Sequence, residues 1–327
     1  MAAEDDPFGA FGEDDADDDE KDGDDCNVVS NTASVPESGQ QQARRDPSCG
    51  VLVFHNGTEQ ALLHHVEREM ELLATSDQLE TAEQVMKLVD QYCFSRHWMM
   101  HIGDQKGIIL KDFIREFCQL YQNRLIRQTK PEQTVIMVEL GTYCGYSAIL
   151  MAYTILEFTR THPQSTQPSF RIFSVDVNSS HQIVAQKLVQ LAKLQDFVEF
   201  VLLPDATNSH NALTETLQKH FAVTTSKIDF LFIDHDKDLY VSDLQQLEAS
   251  GWIQKGTHVA ADNVVFFDIP YRSYIQQRRE QGIVSSKLVM GQLEYVIPEE
   301  LGKTNAIGQL QDGVELTVYE KDPTHPP

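Results

Sequence analysis

Three aspartates stand at the ends of separate apolar runs. Phe170–Val175 closes on Asp176, Ile228–Ile233 on Asp234, and Thr257–Ala261 on Asp262, with Asn263 directly after it. Short runs rich in β-branched and aromatic residues, bounded by polar breaks, read as buried strands, so the three aspartates would gather at one rim of a sheet. Asp234, Asp262 and Asn263 offer only oxygen donors, the set that suits a hard divalent cation such as Mg²⁺, with water or substrate oxygens completing an octahedron. One carboxylate at a strand end commonly caps the chain or faces solvent; two at adjacent strand ends beside an Asn favour the metal. His235 suits a softer ion. Lys237, three residues beyond Asp234, reaches the same rim, where an amine beside a cation could remove a proton from a bound hydroxyl, although most lysines are solvated surface charges.

A fourth segment supplies a different chemistry. Thr134–Val138 is apolar and β-branched, Ser147–Ala152 resumes with helix formers, and Gly141 and Gly145 lie between them. That is a strand entering a helix through a glycine turn, where the backbone can approach a ligand and the first helical turn offers unpaired N–H groups. The plainer reading of this segment alone is a turn that only connects two elements. Asp176, one strand later, is placed to hydrogen-bond a ribose diol, as acidic residues do in nucleotide-binding α/β folds. The interval from Gly141 to Asp176 is about fifteen residues longer than the usual twenty or so, a surplus the polar break at 161–169 absorbs as a surface loop. An NAD-type dehydrogenase ranks low because the turn lacks the G-x-G-x-x-G spacing.

Positioning these residues requires an alternation of elements. Helices are expected from Thr58, from Ser76, over Ile108 to about Leu125, to about Thr159, over Gln182–Leu194, over about Ala212–Phe221 and near Val241–Gly251, with strands at Val198–Leu203 and at the aspartate-ended runs. Strands alternating with helices imply a doubly wound, Rossmann-like α/β sheet with helices on both faces, in which ligands bind beyond the carboxyl ends of the strands. Lys287–Met290 and Val314–Tyr319 read as a closing antiparallel strand pair. Between the second and third helices, His97–Gly107 is a dense apolar loop with two glycines; composition leaves a lid and simple packing equally open.

The acid excess is uneven. Of the formal net charge of −24, half lies in residues 1–25, where thirteen acids face one base. Residues 1–48 cannot bury enough apolar surface to offset ordering and are expected to be a disordered acidic tail ahead of a domain at 49–327. The island Asp6-Pro7-Phe8 resembles short adaptor-binding motifs, but a solvated spacer is the better reading; a protein partner of the tail stays a weak option. No clustered positive field invites nucleic acid. Five scattered cysteines without a C-x-x-C pair favour reduced thiols, no run reaches the length of a membrane span, and the acidic start is unlike a targeting peptide, which together suggest a cytoplasmic protein.

Four blocks follow one another along the chain: Trp98-Met99-Met100-His101-Ile102-Gly103-Asp104-Gln105-Lys106-Gly107, Glu139-Leu140-Gly141-Thr142-Tyr143-Cys144-Gly145-Tyr146-Ser147, Asp234-His235-Asp236-Lys237-Asp238 with Ala261-Asp262-Asn263, and Asp312-Gly313-Val314-Glu315. In that order they resemble the catechol O-methyltransferases, S-adenosylmethionine-dependent enzymes on a doubly wound fold. The resemblance spans about Glu59 to Lys321. It implies that Met100, Ile102, Glu139, Gly141, Tyr143, Ser147, Asp176 and His235 surround S-adenosylmethionine and that Asp234, Asp262 and Asn263 hold Mg²⁺. It further implies Lys237 as general base, Glu315 orienting the second hydroxyl of a small catechol-like substrate, and Trp98 walling the pocket. A chain that keeps the fold but only binds is the competing reading, disfavoured because every metal and base position is filled. His101 stands where the family usually has Asn, Asp236 replaces an aromatic residue, and Phe267 lies in a segment that is compact and proline-bearing in the family.

Overall fold

The structure, a computed structural model, describes residues 57–73, 75–127, 134–163, 169–204, 212–221, 227–265, 269–295 and 311–323. The acidic tail, its Asp6-Pro7-Phe8 island and Phe267 lie outside these residues.

The seven strands are β1 (Val135–Leu140), β2 (Phe170–Asp176), β3 (Val198–Leu202), β4 (Phe230–Ile233), β5 (His258–Ala261), β6 (Val284–Gln292) and β7 (Gln311–Tyr319). They form one sheet in the order β3-β2-β1-β4-β5-β7-β6. The first five run parallel, while β7 is antiparallel to both β5 and β6. The helices are α1 (Thr58–Glu71), α2 (Gln78–Ser95), α3 (Gly103–Arg127), α4 (Tyr146–Thr161), α5 (Ser179–Leu191), α6 (Ala212–His220), α7 (Tyr240–Ala249) and α8 (Tyr271–Glu280). The doubly wound expectation holds, as does the closing antiparallel pair.

Side chains alternate along a strand, so a strand buried on both faces feeds two cores. Val135 and Met137 of β1, with Phe230 and Phe232 of β4, join α1 to α5 on one face. Ile136, Val138 and Leu140, with Leu231 and Ile233, join α6, α7 and α8 on the other. Truncating one such buried Leu to Ala would cost about 2–5 kcal/mol. Local sequence sets the helix starts: the Asp77 carboxylate accepts from the Glu80 N–H at the head of α2, and Asn178 does the same for Ser180 and His181 at α5.

Two elements differ from expectation. α3 begins at Gly103, inside the presumed loop, because Ile102 and Leu110 turn the apolar run onto a helical face. α8 has no counterpart in the sequence reading, since only Tyr271 and Ile275 of its ten residues are buried. Among the described residues no helix is long and apolar enough to cross a membrane, and Cys93, Cys118 and Cys144 are buried.

Candidate active site

One row of residues runs in register across five strands: Val175 pairs with Leu140, Leu140 with Ile233, Ile233 with Ala261, and Ala261 with Glu315. Asp176, Gly141, Asp234 and Asp262 each lie one residue beyond that row, so the three aspartates and the glycine turn share a rim. The backbone ladder continues into it: the N–H groups of Gly141, Asp234 and Asp262 donate to the carbonyls of Val175, Leu140 and Ile233 at 2.9, 2.9 and 3.0 Å.

Gly141 has φ +100°, and a Cβ there would stand 2.0 Å from the Asp234 carbonyl oxygen. No side chain fits, and the turn therefore presses directly on the neighbouring strand end. Glu139, fully buried on the strand leading into it, accepts from Ser174 Oγ through Oε2, while Oε1 is buried without a partner. Burial pushes this carboxyl up to about 8, against the pull of the Ser147 and Ser174 hydroxyls. A buried acceptor left open in this way fits a cationic or N–H donor supplied by a ligand.

Asp176 is occupied differently. Its Oδ2 accepts from the N–H groups of Thr142 at 3.1 Å and Tyr143 at 2.9 Å, and its Oδ1 from Asn178 N–H at 2.8 Å. It closes the glycine turn onto β2; a carboxylate has about four acceptor sites, so room remains for a ribose hydroxyl. Tyr143, at φ 44°, sends its hydroxyl to Glu59 on α1 at 3.2 Å. His235 bonds Asp243 through Nε2 at 2.9 Å and stacks on Tyr240, with Nδ1 buried and unpartnered. Asp236 caps the short 3-10 turn Lys237–Leu239 by accepting from Asp238 N–H at 3.0 Å.

The apolar segment before α3 is packing. Met99 and Ile102 are buried and Met100 is half-buried. His101 between them meets the rings of Tyr143, Tyr146 and Tyr295, with its imidazole pushed down to about 3 by burial. Trp98 Nε1 donates to the Glu294 carbonyl at 3.0 Å, and at Gly103, φ +71°, a Cβ would stand 2.7 Å from Glu294 Cβ. The segment thus lies between the glycine turn and Glu294–Tyr295.

On the other half of the rim, Lys237 Nζ donates to Asp234 Oδ1 at 3.0 Å and to Tyr240 Oη at 2.8 Å, and Tyr240 Oη donates to the Asp262 carbonyl at 3.1 Å. Asp262 accepts from Lys106 Nζ through Oδ2 at 2.8 Å, while Oδ1 is buried and unpartnered. Burial raises this carboxyl above the usual carboxylate range, opposed by the Lys106 ammonium and reinforced by the Asp234, Glu294 and Asp312 charges. Asn263, at φ 55°, donates through Nδ2 to Asp312 Oδ2 at 2.5 Å, which leaves its Oδ1 as a possible ligand. Glu315 is buried beside this end of β5, with Arg272 Nε 3.9 Å away. Among the described residues no three His, Cys, Asp or Glu side chains converge on a metal position. The donor set here is two carboxylates and an amide, and the open Oδ1 of Asp262 fits a hard cation.

Sequence reasoning gave no role to Lys106 or Asp312, or any notice to Glu294. The available signal was Lys106 itself, a lysine in register with Leu110, Phe113 and Phe117 on the apolar stripe of α3.

A methyltransferase-domain family model matches residues 138–264. The chain is 30% identical to catechol O-methyltransferase of Sus scrofa over 221 residues, covering 68% of this chain and 94% of the pig protein. It is 28% identical to catechol O-methyltransferase of Bos taurus over 269 residues, 82% of this chain and 79% of the bovine one. Among solved structures, an O-methyltransferase of Bacillus cereus in complex with SAH aligns over 80% of this chain and 99% of its own, at 18% identity and a TM-score of 0.45.

Proposed function

The chain belongs to the catechol O-methyltransferase family, and on that premise we propose that it moves a methyl group from S-adenosylmethionine to one hydroxyl of a catechol-like vicinal diol held with Mg²⁺. The observation that carries the reading is a pair of buried, unpartnered carboxylate oxygens on one rim, Glu139 Oε1 and Asp262 Oδ1. One suits an organic cation and the other a metal ion.

On the cofactor side, Glu139 would receive the α-ammonium of S-adenosylmethionine, with Ser147 holding the same carboxylate. Gly141 and Tyr143 would line the amino-acid end, Asp176 the ribose, and His235 with Met100 and Ile102 the remainder. On the substrate side Asp234, Asp262 and Asn263 would supply oxygens to Mg²⁺. When bound, the ion supplies charge stabilisation and orientation of the two hydroxyls. Lys237 Nζ, as the neutral amine, would take the proton of the reacting hydroxyl, Glu315 would accept a hydrogen bond from the second, and Trp98 would limit how the ring can tilt. An oxygen–carbon bond forms as the sulfonium's sulfur–carbon bond breaks, giving a methyl ether, S-adenosylhomocysteine and one proton on Lys237. These residues contribute chiefly by holding the reacting atoms in line. The transferase domain is assigned to 49–327, with 1–48 as an acidic tail.

Radiolabelled methyl transfer to catechol with and without Mg²⁺ tests the reading. Lys237→Ala should lower kcat by about 10²- to 10⁴-fold while S-adenosylmethionine still binds in calorimetry. Full activity in EDTA would remove the metal from the account.

A further inference from the structure

We propose that Lys106 and Asp312 are positioning residues that preset the cation site by occupying the non-ligating atoms of Asp262 and Asn263; this rests on the Mg²⁺ reading above. Two side chains expected as ligands each have one polar atom already committed and one left over. Lys106 Nζ takes Asp262 Oδ2 at 2.8 Å, leaving Oδ1 buried and open. Asp312 Oδ2 accepts from Asn263 Nδ2 at 2.5 Å, which turns the amide so that its oxygen is the atom remaining. The two holders are joined to each other, since Lys106 Nζ also donates to Asp312 Oδ2 at 3.0 Å. Asp312 is itself fixed through Oδ1, which accepts from the N–H groups of Gly313 at 2.8 Å and Val265 at 3.3 Å.

None of this can rotate freely. Lys106 and Asp312 are fully buried, and Lys106 has Glu294 Oε2 at 3.0 Å as a third carboxylate. A carboxylate or amide that is free to turn offers a metal either oxygen, or an N–H₂ that cannot ligate; one pinned at its far atom offers a single oxygen in a single place. The elements involved lie outside the parallel strands that end in the ligands: Lys106 is in the first turn of α3, and Asp312 is near the start of β7. The local charge has the right sign as well. One ammonium faces three carboxylates in a fully buried cluster, an excess that a divalent cation at the open Oδ1 would offset.

The test is Mn²⁺ binding to the full chain, read as loss of the free-ion electron paramagnetic resonance signal, with methyl-donor binding followed separately by calorimetry. Lys106→Met and Asp312→Asn should each weaken Mn²⁺ by roughly 10- to 100-fold while S-adenosylmethionine affinity without metal stays within about twofold. Lys111→Met, on the same helix and paired with the half-buried Glu157, should leave Mn²⁺ binding unchanged, which separates the clamp from a general loss of positive charge. Folded Lys106→Met and Asp312→Asn with wild-type Mn²⁺ affinity would overturn the clamp and leave the metal reading intact. A wild-type chain that binds no Mn²⁺ would remove the metal reading and the clamp with it. A crystal structure of the wild-type chain with Mn²⁺ decides the matter without variants: the ion on Asp262 Oδ1 and Asn263 Oδ1 with Lys106 still on Oδ2 supports the clamp, and an ion on Oδ2 with Lys106 displaced contradicts it.

Discussion

Asp176 and Asp262 follow equivalent positions on two strands of the same sheet, yet they are used in opposite ways. Asp176 accepts three backbone N–H bonds and ties the glycine turn to β2. Asp262 receives one lysine, keeps its second oxygen open, and is held above the usual carboxylate range by burial, with neighbouring acids adding to it. Three main-chain amides hold the first in place and leave an acceptor position over, so on the proposed function that half of the rim would recognise a ligand through shape, the remaining position on Asp176 and the open oxygen of Glu139. The second half is short of positive charge, which on the proposed function a divalent cation would supply.

That contrast can be broken. Asp262→Asn should weaken Mn²⁺ by at least about 100-fold, beyond the 10- to 100-fold range for residues that only orient ligands, and leave methyl-donor affinity near wild type. Asp176→Asn should do the reverse: it places an N–H₂ against backbone donors, costs about 1–3 kcal/mol in urea unfolding, and leaves Mn²⁺ binding unchanged. If both variants behave alike, the distinction fails. Glu139→Gln sharpens the cofactor side, where loss of a charge-assisted contact of about 1.5–3 kcal/mol should weaken S-adenosylmethionine roughly 10- to 100-fold in calorimetry without affecting Mn²⁺.

The smallest expected effect lies away from both halves. Asp90 accepts from Tyr295 Oη at 2.8 Å and Tyr146 Oη at 3.1 Å, and burial raises it to about 7 despite those donors. In the unfolded chain it would titrate near 4. Between those values the folded state binds more protons. Its contribution is therefore fully present below about pH 4 and lost as pH rises through 7. The stability of wild type relative to Asp90→Asn should therefore fall as pH rises across that window; a constant difference from pH 4 to 7.5 would contradict it.

How much was legible follows from how far apart the interacting residues lie. Strand ends could be read because a run such as Phe230–Ile233 is apolar on both faces, and the position after it is then fixed within a residue. The glycine turn could be read because Gly141 and Gly145 interrupt a strand and a helix at a recognisable junction. α8 could not, because Tyr271 and Ile275 alone carry its burial and the rest is polar. Nor could the contacts that set the chemistry of each aspartate: Lys106 reaches Asp262 and Asp312 across 156 and 206 residues, and no local pattern encodes that pairing. The three N–H bonds on Asp176 were equally invisible, since main-chain donors leave no trace in residue type. Whether His97–Gly107 was a lid or packing depended on Glu294, which lies beyond any window containing the loop.

The central claim is that one rim carries a methyl-donor half that stands complete and a metal half that does not. Its most direct measurement is methyl transfer from labelled S-adenosylmethionine to catechol by the full chain, titrated with Mg²⁺ after treatment with EDTA, with donor binding measured in the same samples. The account predicts donor binding at every Mg²⁺ concentration and transfer only once Mg²⁺ is restored; transfer at full rate without the ion, or donor binding that vanishes with it, would contradict it.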